Sequence, residues 1–296
     1  MATSPDHSTL YKSPEGCQKV MAHYDTSLQG MAVPYETKYV GTRFGPTHSV
    51  ISGDRNAKAI VLWHGGNANS TIWTNWIAAL APTYHVYAID TIGEMGKSAA
   101  SRPSKAGPAY GQWAAETLEG LGLERANMIG ASNGGWLIMK LGSVAPKMIG
   151  SAILMSSAGF RPINKMFLLR FITPYLIKSP AEMARRFLGL LSPPDLPPNP
   201  DALALFELIL EHFRLEQRSP PVISNSDIRR LTAPTYLMMG QYETMFDPYQ
   251  VIKRGLSLLP NVINAEIVPR VGHLITHERP DLVITRVISF LERYAV

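Results

Sequence analysis

The chain has 296 residues, of which 46% are hydrophobic and 17% charged, so it can bury a full core and is neither disordered nor fibrous. Its net charge is +5, but lysine and arginine are scattered rather than clustered, and we therefore expect no nucleic-acid partner. The single cysteine, Cys17, excludes an internal disulfide; with no signal-peptide pattern and no apolar run of roughly 18 residues, the sequence predicts a cytoplasmic protein without a membrane segment.

Short apolar runs alternate with helix-length segments along most of the chain. Residues 1–34 are polar and are predicted to form an N-terminal arm or a short helix packed on the domain. A hairpin is predicted over 36–42 and 47–52. The apolar runs that follow predict buried strands at 59–63, 86–90, 126–130, 151–155, 235–239 and 265–268. Helices are predicted between them at 73–80, 110–121, 135–144, 248–258 and 281–294. This alternation predicts an α/β fold, a mostly parallel twisted sheet with helices on both faces.

Residues 160–230 interrupt the alternation. They contain three apolar helical stretches, at 166–177, 181–191 and 202–214, and a proline-rich connector at 193–200. We interpret them as a helical cap inserted into a core domain formed by residues 35–159 and 231–296. An insertion carried on loops above the edge of a sheet is suited to act as a lid.

The segment Gly130-Ala131-Ser132-Asn133-Gly134 has the G-x-S-x-G pattern, directly after a predicted strand and before a predicted helix. That context is typical of a nucleophile elbow, in which a tight turn exposes the serine hydroxyl above the sheet. A serine hydroxyl is a weak nucleophile at neutral pH and needs a base within hydrogen-bond reach. The pattern therefore predicts Ser132 as a nucleophile.

The base should follow a later strand, because strands in such a sheet bring their following loops to one edge. His273 lies between the last predicted strand and the last predicted helix. His277 is the nearby rival, but it lies further along the loop and is interpreted as a surface residue. We therefore expect His273 to be the base.

Two carboxylates compete for the acid that orients this histidine, and both follow the strand at 235–239. Asp247 precedes Pro248, a pairing typical of a helix start, which gives Asp247 a structural explanation. Glu243 has none and lies nearer the end of the strand. The sequence favours Glu243 as the acid and keeps Asp247 as the alternative.

An oxyanion hole needs two backbone N–H groups aimed at the developing negative charge. One should come from Asn133, directly after the nucleophile, and the other from the His64-Gly65-Gly66-Asn67 loop after the strand at 59–63. Gly66 is the expected second donor, with Asn67 next, and His64 is expected to brace the loop. We predict no cofactor and no metal, because no cluster of ligating residues has metal-binding spacing. Residues 93–98 resemble only an incomplete phosphate-binding loop.

These motifs together resemble the α/β-hydrolase superfamily and, within it, the bacterial carboxylesterase NP (naproxen esterase) group. The similarity runs from about residue 36 to the end of the chain and includes 42–48, 88–93 with Lys97-Ser98, 128–130 and 243–248. The resemblance implies a Ser–Glu–His triad at Ser132, Glu243 and His273, a helical cap over 160–230 and small carboxylic esters as substrates. Asn133, in place of the group's usual apolar residue, and the Gly65-Gly66-Asn67 sequence depart from the pattern.

The sequence thus predicts a serine carboxylesterase that works through an acyl-enzyme. Carbon–carbon bond hydrolases, lactonases and amidases of the same fold use the same three side chains and stay open as alternatives. So does a non-catalytic ligand-binding protein, since fold alone does not fix function.

Overall fold

The described part of the chain is built around one mostly parallel sheet. The computed structural model describes residues 8–172, 179–197 and 199–296. The strands in these ranges are β1 (Glu36–Thr42), β2 (Gly45–Ser52), β3 (Ala59–Trp63), β4 (His85–Ile89), β5 (Ala126–Ala131), β6 (Ile149–Met155), β7 (Thr235–Gly240) and β8 (Val262–Val268). They lie in the order β1-β2-β4-β3-β5-β6-β7-β8. The antiparallel hairpin β1–β2 pairs antiparallel with β4, and every pair from β4 onward is parallel. The carboxyl ends of the parallel strands therefore share one edge.

Helices cover both faces of this sheet. The helices in the described ranges are α1 (Pro14–Gln29), α2 (Thr74–Leu80), α3 (Ala109–Leu121), α4 (Asn133–Val144), α5 (Lys165–Ile172), α6 (Pro180–Leu191), α7 (Pro200–His212), α8 (Asn225–Ile228), α9 (Pro248–Leu258), α10 (Ile275–Glu278) and α11 (Pro280–Tyr294). Helices α1, α2 and α11 supply side chains to the core on one face, and α3, α4 and α9 to the core on the other. None of the helices in these ranges has the length and apolar character needed to cross a membrane.

Strand β3 shows why a continuous apolar run is needed at the centre of the sheet. Val61 and Trp63 pack into one core, whereas Ile60 and Leu62 pack into the other. All four side chains are fully buried. Because successive side chains of a strand point to opposite faces, a strand covered by helices on both sides must be apolar at every position.

Four helices, α5 to α8, lie between β6 and β7 in the described ranges, in the region predicted as a helical insertion. Helix α5 ends at Ile172, and the rest of the predicted 166–177 stretch lies outside the described residues. Within residues 1–34, α1 is a 16-residue helix that begins at an N-cap serine, Ser13. The segment before it joins the insertion, since Tyr11 pairs antiparallel with Phe213.

Candidate active site

Ser132 occupies a strained turn between β5 and α4. Its φ of 52° lies in the left-handed region, which a residue other than glycine adopts only when the surrounding structure holds it there. The two flanking glycines allow the elements to meet. A Cβ added at Gly134 would lie 1.9 Å from the carbonyl oxygen of Trp63, and one at Gly130 would lie 2.5 Å from the backbone of Gly134. The turn therefore holds the serine at the shared carboxyl edge of the sheet.

Loops after β7 and β8 bring a carboxylate and an imidazole to this serine. His273 Nε2 lies 3.1 Å from Ser132 Oγ, and His273 Nδ1 lies 2.7 Å from Glu243 Oε2. The other carboxylate oxygen, Oε1, accepts the backbone N–H groups of Met245 (2.7 Å) and Phe246 (3.4 Å). Because a carboxylate only accepts, Nδ1 carries the proton and Nε2 presents its lone pair to the serine hydroxyl.

Burial and charge act in opposite directions on this histidine. His273 is 9% exposed and Glu243 7% exposed. Burial by itself would lower the pKa of His273, but the charge and hydrogen bond of Glu243, together with the charge of Glu278, outweigh it and raise that pKa. The arrangement can accept a proton from the serine hydroxyl and hold the resulting imidazolium between carboxylates.

The two rivals weighed from the sequence lie elsewhere. Asp247 is the N-cap of α9, where its Oδ1 accepts the N–H of Gln250 at 3.0 Å, as its position before Pro248 predicts. The interpretation of His277 as a surface residue is wrong. It is only partly exposed, its Nδ1 lies 2.7 Å from Thr276 Oγ1, and burial lowers its pKa. The short helix α10 turns this side chain inward, which its place in a loop sequence could not indicate.

The loop after β3 lies against the start of α4. A Cβ added at Gly66 would lie 3.7 Å from the Cβ of Asn133. The N–H of Asn67 donates to Glu94 Oε2 at 2.8 Å, so it is already occupied. We find no hydrogen bond from the Gly66 N–H within the described residues. Asn133 begins α4, where the first N–H groups of a helix have no partner in the helix. Gly66 and Asn133 therefore lie close together beside the serine turn.

His64 braces this loop. It is fully buried; its Nε2 accepts the N–H of Thr91 at 2.9 Å, and its Nδ1 therefore donates to the carbonyl of Gly65 at 2.7 Å. Burial lowers its pKa, which favours the neutral ring that this pair of bonds requires. The imidazole joins the loops after β3 and β4 and does not face the serine through either nitrogen.

Two carboxylates near the site, one buried and one partly buried, were not anticipated from the sequence. Glu94, which holds the Asn67 N–H, is 4% exposed, and burial raises its pKa to about 7. It falls in the 93–98 stretch that the sequence presents only as an incomplete phosphate loop. Glu278 lies beside the histidine loop, in a polar stretch whose inward turn has no local sequence signal. In the described residues we find no group of three or more histidine, cysteine or acidic side chains that could hold a metal ion.

The fold and this arrangement at its edge define an α/β hydrolase, and the family comparison agrees. A family model described as "Alpha/beta hydrolase family" matches residues 60–286, so the chain belongs to that family. The predicted α/β-hydrolase fold and the resemblance to the bacterial carboxylesterase NP group are confirmed.

Two Bacillus subtilis proteins illustrate the similarity within the family. Carboxylesterase YbfK is 31% identical over 283 residues, which cover 90% of this chain and 92% of the relative. The crystal structure of naproxen esterase (carboxylesterase NP) superimposes with a TM-score of 0.83 at 27% identity, covering 95% of this chain and 99% of that one. The similarity therefore includes the helical insertion as well as the sheet.

Proposed function

We propose that this protein is a serine carboxylesterase in which Ser132 is the nucleophile, His273 the general base and Glu243 the acid. The observation that carries the proposal is the line of contacts from Ser132 Oγ through both imidazole nitrogens to the Glu243 carboxylate. Full-length similarity to proteins named as carboxylesterases supports esters as the substrate class.

The geometry suits acyl transfer in two steps. Ser132 Oγ attacks the ester carbonyl carbon while its proton passes to His273 Nε2, and the N–H groups of Gly66 and Asn133 stabilise the oxyanion. The tetrahedral intermediate then collapses, and the alcohol leaves with the proton from Nε2. Water attacks the acyl-enzyme with Nε2 as base, and the carboxylic acid and free Ser132 are regenerated. Glu243 keeps the proton on Nδ1 and stabilises the imidazolium in both steps.

Residues 160–230 act in this proposal as a cap over the alcohol or acyl side of the site. The end of α6 supports this placement, since the carbonyl of Leu191 accepts the backbone N–H of His273 at 2.7 Å. Asn133 bears on acyl preference, because its Oδ1 is buried without a hydrogen-bond partner in the described residues. A substrate that donates a hydrogen bond there would satisfy it.

The test is turnover of p-nitrophenyl acetate, butyrate and octanoate by the wild-type chain and by Ser132→Ala. We expect Ser132→Ala to lower kcat/KM by roughly 10⁴-fold or more. Ser143→Ala is the matched control, because Ser143 lies on α4, the helix that follows Ser132, and its hydroxyl donates to the Lys140 carbonyl; this variant should keep full activity. Mass spectrometry after phenylmethylsulfonyl fluoride should locate the adduct on Ser132.

The same experiment separates the alternatives. Turnover of p-nitroanilides or lactones above that of esters would favour an amidase or a lactonase. Absence of turnover at every acyl length, with no adduct at Ser132, would favour a ligand-binding protein and overturn the proposal.

A further inference from the structure

A second carboxylate reaches the histidine loop and has no part in the mechanism above. Glu278 is the last residue of α10, five positions after His273. Its Oε2 accepts the backbone N–H of Gly272 at 2.5 Å. Gly272 directly precedes His273, so this bond fixes the peptide that carries the proposed base.

The insertion holds the same segment from the other side. The N–H of His273 donates to the carbonyl of Leu191, the last residue of α6, at 2.7 Å. A Cβ added at Gly272 would lie 2.2 Å from that same carbonyl oxygen, so the two backbones are in direct contact. The backbone at Gly272 and His273 is therefore held at two points, by Glu278 and by the end of α6, and these contacts restrict its movement.

Glu278 also acts on the site through its charge. Its Oε1 is buried and makes no hydrogen bond in the described residues. The groups that face the carboxylate are His273, the Glu243 carboxylate on the loop after β7, and the Ser192 hydroxyl at the end of α6. Burial and the charge of Glu243 raise the pKa of Glu278 above its usual value, although the Gly272 N–H, Ser192 and His273 act in the opposite direction. Burial lowers the pKa of the neighbouring His277, which favours the neutral form of that imidazole over one that would offset the negative charge.

We propose that Glu278 is a positioning residue for His273, which it serves by anchoring the Gly272 N–H and by placing a second negative charge beside the imidazole. This inference rests on the proposed function, in which the imidazole becomes positively charged in each transition state. A fixed negative charge in partly dry surroundings stabilises that imidazolium. The same charge makes the resting imidazole easier to protonate, so it moves the acid limb of the activity profile to higher pH.

Two substitutions separate the anchor from the charge. Glu278→Gln keeps an oxygen that can accept the Gly272 N–H but removes the charge, and Glu278→Leu removes both. Glu292→Gln, an exposed carboxylate on α11, is the matched control. The measurements are kcat and KM for p-nitrophenyl acetate from pH 5 to 9, together with the pH titration of His273 in protein labelled with ¹⁵N-histidine and assigned with a His273→Asn variant.

For Glu278→Gln we expect the acid limb to move to lower pH, so that kcat/KM at pH 5.5 relative to pH 8 rises about threefold. For Glu278→Leu we expect kcat to fall about tenfold at every pH, with KM nearly unchanged. A merely structural residue would leave the limb in place. Wild-type profiles and an unmoved His273 titration in Glu278→Gln would overturn the inference, even if Glu278→Leu failed to fold.

The titration is read in the resting protein and needs no substrate. If no ester is turned over but His273 still titrates at lower pH in Glu278→Gln, the proposed function fails and the link between Glu278 and His273 stands. If esters are hydrolysed and the His273 titration does not move, the proposed function stands and the link between Glu278 and His273 fails.

Discussion

Replacing Glu243 by glutamine tests the assignment of the acid, because the exchange should move the proton of the His273 ring from one nitrogen to the other. The carboxylate Oε1 accepts N–H groups from Met245 and Phe246, and only an oxygen can replace it there. The new amide must therefore turn its NH₂ group toward His273 Nδ1. Nδ1 would then have to accept, the ring proton would move to Nε2, and Nε2 could no longer take the proton of Ser132.

The expected loss follows from this wrong tautomer. Exchanging the acid of a catalytic triad for its amide lowers kcat by about 10⁴-fold in the well-studied serine protease case, which corresponds to about 5 kcal/mol of transition-state stabilisation. We expect the same order here, with KM little changed. Because Glu243 and glutamine have nearly the same shape, the melting temperature should change far less than the activity.

The assay is steady-state hydrolysis of p-nitrophenyl acetate, with thermal unfolding of the same samples. Asp247→Asn is the matched control, because asparagine caps a helix as well as aspartate does and should keep both activity and stability. Activity within tenfold of wild type in Glu243→Gln would refute the reasoning. So would a large loss in Asp247→Asn with Glu243→Gln unaffected.

Two further predictions concern stability. Gly134→Ala should lower the free energy of unfolding, measured in urea, by about 3 kcal/mol or more, because the new Cβ would lie 1.9 Å from the Trp63 carbonyl oxygen. Gly189→Ala in α6 is the control: nothing lies within 4 Å of its added Cβ, so the substitution should be neutral or stabilising. Equal effects of the two substitutions would contradict the packing argument. Glu94 keeps its proton to about pH 7 in the folded chain against a reference of 4.5, so its ionisation costs stability as the pH rises through this window. Glu94→Gln cannot ionise and should gain about 2 kcal/mol on wild type between pH 5.5 and 8.5 in urea titrations; a difference that does not vary with pH would contradict the burial argument.

The sheet was open to prediction because its signals are local. A strand covered on both faces must be apolar throughout, and residues 59–63 carry that signal in their own composition. The same apolar runs place Ser132 between a strand and a helix, and they place His273 after the last strand. The capping role of Asp247 was likewise readable from Pro248.

The remaining features depend on contacts between distant segments. Residues 16, 20, 24 and 28 form the buried stripe of α1, but glycine begins this stripe and gives no apolar signal. The burial of Glu94 and the partial burial of His277 and Glu278 depend on neighbouring loops. A carboxylate in a polar stretch looks solvent-exposed from its sequence, whatever the fold later places around it.

The pairing of Tyr11 with Phe213 has a consequence for any experiment that exchanges residues 160–230 between relatives. Leu10, Tyr11 and Val20 share a small apolar cluster with Ile209 and Phe213. A graft of residues 160–230 alone would set those N-terminal side chains against a foreign surface. The unit to exchange therefore consists of two segments, the N-terminal segment with α1 and residues 160–230. Variant libraries that exchange both segments should contain more folded proteins than libraries that exchange residues 160–230 alone.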